Sequence, residues 1–301
     1  MIREPPEDLL ATLKSHFPDS KQPLAAVRKD LSAFYAGMQE ETVMGSDHHL
    51  EGVSIQNGLR GIWVSLPESL TDRVVLFFHG GCFTTGSTDS HLGLCIRLAR
   101  ASRARVFSVD YRLAPEHVFP AAVEDAVTAY RFLLGRGYGP HHIIPVGLSA
   151  GGTLVLSLLI SARDYGLPLP LAAVCMSPVT DMAFSGESVL KNRERDWLTP
   201  EGLHEIRRVY LAGRDAKDPL ASPVHARLAG LPRLYIQAGT HELLVSDIGV
   251  FVDKARWAGV PVQVEIWEEM YHCWQLLAEQ VPEGQEAIDQ AGTFIEDVLG
   301  R

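Results

Sequence analysis

The run Gly147-Leu148-Ser149-Ala150-Gly151 is a G-x-S-x-G lying directly after one apolar segment and directly before another. A serine on a tight strand-to-helix turn has its hydroxyl raised into the open, and small residues at Gly147 and Gly151 relieve the crowding of such a turn. A hydroxyl is a poor nucleophile until a base takes its proton, and the base needs an acid to orient it. In this arrangement acid and base follow the serine along the chain. Leu234 to Gln237 leads into Ala238-Gly239-Thr240-His241-Glu242, and Val262 to Trp267 leads into Glu268-Glu269-Met270-Tyr271-His272. Glu242 and His272 thus fall just past two strand ends, the edge at which an open α/β sheet places its site. Asp247 is a rival acid further into the next helix, and nearness to the strand end favours Glu242.

A second loop, His79-Gly80-Gly81-Cys82, follows the apolar run Val74 to Phe78. Bare backbone N–H groups there, with the N–H of Ala150 after the serine, can hold a developing oxyanion. One such donor lowers the barrier by about 3 kcal/mol. A Gly-Gly pair also suits a strand exit that needs positive φ. Other nucleophiles fare worse. Ser188-Val189-Leu190-Lys191 is an S-x-x-K, but no Lys-Thr-Gly or Ser-Asp-Asn accompanies it, and Asn192 to Asp196 reads as a solvated helix face. Cys82 and Cys273 flank the site without sitting on an elbow. His241-Glu242 lacks the second histidine of a zincin, since Val245 stands there, and no phosphate loop occurs. No metal or cofactor is expected.

The elements that must carry these residues are legible as patterns. Two amphipathic helices open the chain, one presenting Leu9, Leu10, Leu13 and Phe17, the next Leu24, Val27, Leu31, Phe34, Tyr35 and Met38, with Pro18 and Pro23 at the join. Leu50 to Gln56 and Leu59 to Leu66 form a hairpin across an Asn-Gly turn. Short apolar runs follow at 74–78, 106–109, 143–146, 171–176, 234–236 and 262–267, reading as strands buried on both faces of a parallel sheet. Helices are expected at 91–101, 121–134, 150–164 and 245–257, with a last one carrying Ile288 to Leu299. The uncharged stretch Ile143 to Ala162 is long enough for a membrane span. Pro145, Gly147, Gly151 and Gly152 argue instead for strand, turn and buried helix.

Composition narrows the classes further. The 301 residues are 46% hydrophobic and 21% charged, which excludes disorder and describes a globular chain. A net charge of -10 with no basic run argues against a nucleic-acid partner. Cys82, Cys95, Cys175 and Cys273 form no CxxC pair, and the first ten residues lack the basic and apolar regions of a signal peptide, so a cytoplasmic location is expected.

Taken together, His79-Gly80-Gly81, Asp110 to His117 with Phe119 to Ala122, Gly147 to Gly152, Ser177-Pro178 with Asp181, Asp218 to Pro223 and the Glu242/His272 pair resemble the hormone-sensitive lipase-like carboxylesterases (bacterial family IV), within the α/β-hydrolases. The resemblance implies an α/β fold with a mostly parallel eight-stranded sheet. It also implies a helical cap built from 1–45 and 184–215 on a core of 46–183 and 216–301. It makes Ser149 the nucleophile, His272 the general base and acid, Glu242 the orienting acid, and Gly80, Gly81 and Ala150 the oxyanion donors. The expected reaction is hydrolysis of small, short-chain carboxylic esters, with a homodimer as the expected assembly and no membrane span. Two departures stand out. Leu148 occupies the place where most members carry Asp or Thr, and Cys82 replaces the third glycine, which should reshape the acyl site. An amidase or small peptidase would share the triad, and a receptor of the same fold would lack the histidine that His272 supplies.

Overall fold

A computed structural model of the protein describes residues 7–16 and 24–300. Phe17, Pro18 and Pro23 lie outside the described residues. Three helices lead, α1 (Glu7–His16), α2 (Leu24–Gly37) and α3 (Glu40–Met44), and α2 buries Val27, Leu31 and Tyr35. The hairpin β1 (His49–Ser54) and β2 (Arg60–Ser65) pairs His49 with Ser65 through to Ser54 with Arg60. Gly58, at φ 76°, closes the 3-10 turn between them.

The chain then alternates strand and helix: β3 (Leu70–Phe78), α4 (Leu92–Ser102), β4 (Ala104–Asp110), α5 (Ala121–Gly135), β5 (Ile143–Leu148), α6 (Ala150–Asp164) and β6 (Ala172–Met176). After the short α7 (Ser188–Lys191) and α8 (Pro200–Leu211) come β7 (Arg233–Gly239), α9 (Val245–Trp257), β8 (Val262–Trp267) and α10 (Pro282–Leu299). The eight strands form one sheet ordered β1-β2-β4-β3-β5-β6-β7-β8. Only β2 runs against its neighbours, pairing antiparallel with β1 and β4, while the other pairings are parallel. Parallel neighbours aim their C-terminal ends at one edge, and loops from β3, β5, β7 and β8 meet there.

Every residue of β5 and β6 is buried, as their unbroken apolar runs require. Thirteen consecutive residues of α6, Ala150 to Ala162, are buried as well. That all-round burial explains the uncharged stretch: it is a core strand, a turn and a core helix. No described helix is long and apolar enough to cross a membrane.

Two strands differ from expectation. β3 begins at Leu70 because Thr71 and Asp72 are exposed and extend it beyond the apolar layers, where its register with β4 shifts. β8 is half-exposed instead of buried on both faces: it is the outer strand beyond β7, and Gln263 and Ile266 face solvent.

Candidate active site

The turn between β5 and α6 is possible only with its glycines. A Cβ on Gly147 would stand 2.1 Å from the carbonyl oxygen of Gly151, and one on Gly151 would stand 1.9 Å from that of Phe78. Ser149 between them has φ 54° and ψ -118°, a conformation that costs about 1–3 kcal/mol and persists because the packing around it allows no other. Its N–H donates to the carbonyl of Met176 at 2.8 Å, fastening the turn to β6.

The loops after β7 and β8 bring two more groups to this hydroxyl. His272 Nε2 lies 2.8 Å from Ser149 Oγ, and His272 Nδ1 lies 3.0 Å from Glu242 Oε2. A carboxylate only accepts hydrogen bonds, so Nδ1 carries the proton and Nε2 presents its lone pair to the serine. Glu242 Oε1 accepts from the Gly239 N–H at 2.7 Å and from Ser177 Oγ at 2.8 Å. All three side chains are buried, Ser149 to 4% exposure, His272 to 1% and Glu242 to 0%. Burial works against protonation of His272, while the Glu242 carboxylate, by hydrogen bond and by charge, favours the imidazolium; the balance lies above 6.5. Asp247 is not brought to His272. It lies under Gly186 on α9, where burial and the charge of Asp181 push it up to about 6.

The glycine loop departs from the sequence expectation at one atom. The N–H of Gly80 donates to His91 Nε2 at 3.1 Å, so it is committed inside the protein. Burial lowers His91 to about 3, which keeps the ring neutral and its Nε2 free to accept. The N–H groups of Gly81 and Cys82 have no acceptor among the described residues. Ala150 opens α6, and the first N–H groups of a helix have no partner within it. Gly81 sits at φ 115°, and a Cβ there would meet the carbonyl of Thr85 at 2.3 Å. Cys82 and Phe83 follow at φ 58° and 60°, so the loop turns through three left-handed residues in succession.

A scaffold holds this loop. The His79 ring stacks on Tyr111 at 4.2 Å, and the Tyr111 hydroxyl donates to the His79 carbonyl at 2.9 Å. Ala114 N–H donates to Phe83 O, and Arg28 of α2 reaches the carbonyls of Thr84 and Ala114 while pairing with both oxygens of Glu116. The Asp110 to Ala122 motif is thus structural. Thr88 N–H on Asp110 and the Arg112–Asp125 ion pair complete it.

Leu31 and Tyr35 of α2, Trp197, Leu276, Cys82 and Cys273 line the cleft that opens on Ser149. Burial pushes the Cys82 thiol up to about 12 and raises Cys273, so both remain protonated and unreactive beside the serine. Ser188 is no nucleophile: it is buried and its hydroxyl donates to the Leu243 carbonyl, while Lys191 pairs with exposed Glu187.

The solvated helix expected at Asn192 to Asp196 is also corrected. Asn192 and Asp196 point inward, at 7% and 0% exposure. Burial pushes Asp196 up to about 6, with Glu242 adding to the rise and His272 and two backbone N–H groups opposing it. Sequence reasoning missed Asp196, Asn192, Ser177 as a partner of the acid, and His91. Ser177 alone had a signal, its place in a motif directly after β6.

This strand order and serine turn define an α/β-hydrolase. A family model described as the α/β-hydrolase fold matches residues 75–276. An acetyl-hydrolase of Streptomyces hygroscopicus is 44% identical over 239 residues, covering 79% of this chain and 80% of that protein. An esterase of Acinetobacter venetianus is 33% identical, covering 79% and 78%. Among solved structures, an esterase from the bacterial hormone-sensitive lipase family superposes with a TM-score of 0.90 at 38% identity, covering 98% of each chain. A hormone-sensitive lipase from a metagenome library gives 0.89 at 35%, covering 100% of each. The chain belongs to the α/β-hydrolase family, in its branch of bacterial hormone-sensitive lipase-like carboxylesterases.

Proposed function

We propose that the protein hydrolyses short-chain carboxylic esters through an acyl-enzyme on Ser149. The observation that carries this reading is the continuous relay from Glu242 through His272 to Ser149 Oγ, at 3.0 and 2.8 Å. Ser149 Oγ attacks the ester carbonyl as His272 Nε2 takes its proton, and the imidazolium formed is stabilised by Glu242 through Nδ1–H. His272 then gives the proton to the departing alcohol. Water repeats the attack, with His272 as base again, and releases the acid.

The oxyanion is held by Gly81, Cys82 and Ala150 N–H groups, because Gly80 is already bonded to His91. Cys82 contributes its backbone while its side chain narrows the acyl side of the cleft. The described residues of 1–45, with 184–215, form the cap; Leu31, Tyr35 and Trp197 at the cleft support that division. The relative named acetyl-hydrolase supports a small acyl group.

The test is a panel of p-nitrophenyl esters of rising acyl length beside the matching anilides. Fastest turnover of the shortest esters, with no anilide cleavage, is expected. Preferential cleavage of anilides would replace the esterase by an amidase with the same triad.

A further inference from the structure

Asn192, Asp196 and Trp197, in the segment between β6 and β7, make polar contacts with the backbone that carries the acid and the base. Asp196 Oδ1 accepts the N–H of His272 at 3.1 Å and of Trp197 at 2.8 Å, and Oδ2 accepts the N–H of Leu243 at 2.8 Å. Asn192 Nδ2 donates to the carbonyl of Glu242 at 2.8 Å and to that of Thr240 at 2.8 Å. Trp197 Nε1 donates to the carbonyl of His272 at 2.6 Å. The peptide unit between Glu242 and Leu243 is therefore held at its C=O by Asn192 and at its N–H by Asp196. His272 is held at its N–H by Asp196 and at its C=O by Trp197.

Nearer the strand ends the two loops also touch directly, through Thr240 N–H on Trp267 O and His241 N–H on Met270 O. Beyond those bonds, one buried carboxylate spans both loops where the acid and base side chains leave the backbone. Hydrogen bonds to an ionised acceptor are roughly twice as strong as neutral ones, and the three N–H groups offset the cost of burying the charge. A misplacement of about 1 Å in a catalytic group costs about 10²-fold in rate, so a clamp on these two backbones acts directly on the geometry of proton transfer.

We propose that Asp196, assisted by Asn192 and Trp197, is the positioning residue of the Glu242–His272 pair, so that this segment is part of the working site as well as its cover. The proposal rests on the triad reading above. Asp196 touches neither Ser149 nor the reacting carbonyl, and it acts through the backbone of the two residues that do.

The test compares Asp196→Asn with the wild type in kcat and KM for p-nitrophenyl acetate, each normalised to sites titrated with a phosphonate serine probe. In the isosteric amide one oxygen becomes an NH₂ facing a backbone N–H, and kcat per titrated site is expected to fall about 10²-fold with KM little changed. Trp197→Phe removes one bond to His272 and should lower kcat in the same manner by less. A folded Asp196→Asn with wild-type kcat per site overturns the proposal, as does a change confined to KM or to the fraction of titratable sites. If Asp196→Asn does not fold, Asn192→Ala decides: a lower kcat per site supports the clamp and a wild-type value overturns it. Ser149→Ala, run alongside, separates the two readings. Activity in that variant overturns the triad itself, whereas an inactive Ser149→Ala beside a fully active Asp196→Asn overturns the clamp alone.

Discussion

Replacing Glu242 by Gln changes almost no volume and interrogates one proton. Glu242 accepts from three donors: Gly239 N–H, the Ser177 hydroxyl and His272 Nδ1. The glutamine carbonyl can keep the first two, which leaves its NH₂ facing Nδ1. Two donors cannot share that contact, so Nδ1 loses its proton and accepts instead. The ring proton moves to Nε2, and Ser149 Oγ, 2.8 Å away, then meets an N–H in place of a lone pair. The base is blocked in its main tautomer, and the imidazolium loses its counter-charge. A substitution of this kind lowers kcat by about 10⁴-fold, about 5 kcal/mol of barrier, with KM little affected because no substrate contact is lost. The assay is p-nitrophenolate release from the acetate ester, with circular dichroism to confirm folding. Asp247→Asn, remote from His272, should leave kcat near the wild type. A Glu242→Gln enzyme retaining a tenth or more of its kcat, or an equal loss in Asp247→Asn, would refute this assignment of the acid.

Three further outcomes follow from the geometry. Catalysis needs neutral His272, whose pKa is raised, so kcat/KM should fall as pH drops through a midpoint above 6.5; a pH–rate profile with its acid limb at or below 6.5 would contradict the balance of burial against the Glu242 carboxylate. Gly151→Ala places a Cβ 1.9 Å from the Phe78 carbonyl oxygen. Because that atom is backbone, destabilisation at the upper end of about 1–3 kcal/mol is expected, and an unchanged melting temperature would show that the turn is looser than described. Cys82→Gly removes a side chain from the cleft at a position with φ 58°, so the ratio of kcat/KM for butyrate over acetate should rise, and a constant ratio would place Cys82 away from the acyl group.

How much of this was legible in the sequence differs from residue to residue, for physical reasons. Ser149, Glu242 and His272 could be read because each follows a strand, and strand ends on one edge of a parallel sheet must converge. The glycines around Ser149 were legible too, since the turn forbids side chains there. His91 left no trace, because its bond to the Gly80 N–H depends on how the loop folds back over eleven residues. Its effect is to turn the oxyanion assignment from Gly80 and Gly81 to Gly81 and Cys82. Asp196 was hidden by its neighbours. Arg193, Glu194 and Arg195 are exposed and give the segment a solvated composition, while Asp196 turns inward to backbone groups 47 and 76 residues away. No local pattern encodes contacts of that range. β8 was misread as buried on both faces because the five other apolar runs are; its polar Gln263 and Glu265 were the available sign that it closes the sheet.

The most direct measurement is to map the covalent intermediate. Incubation with a phosphonate ester probe, digestion and mass spectrometry should place the adduct on the peptide containing Ser149, with no adduct and no ester hydrolysis in a folded Ser149→Ala variant. An adduct on any other residue, or a Ser149→Ala protein that still turns over p-nitrophenyl acetate, would contradict the role given to Ser149.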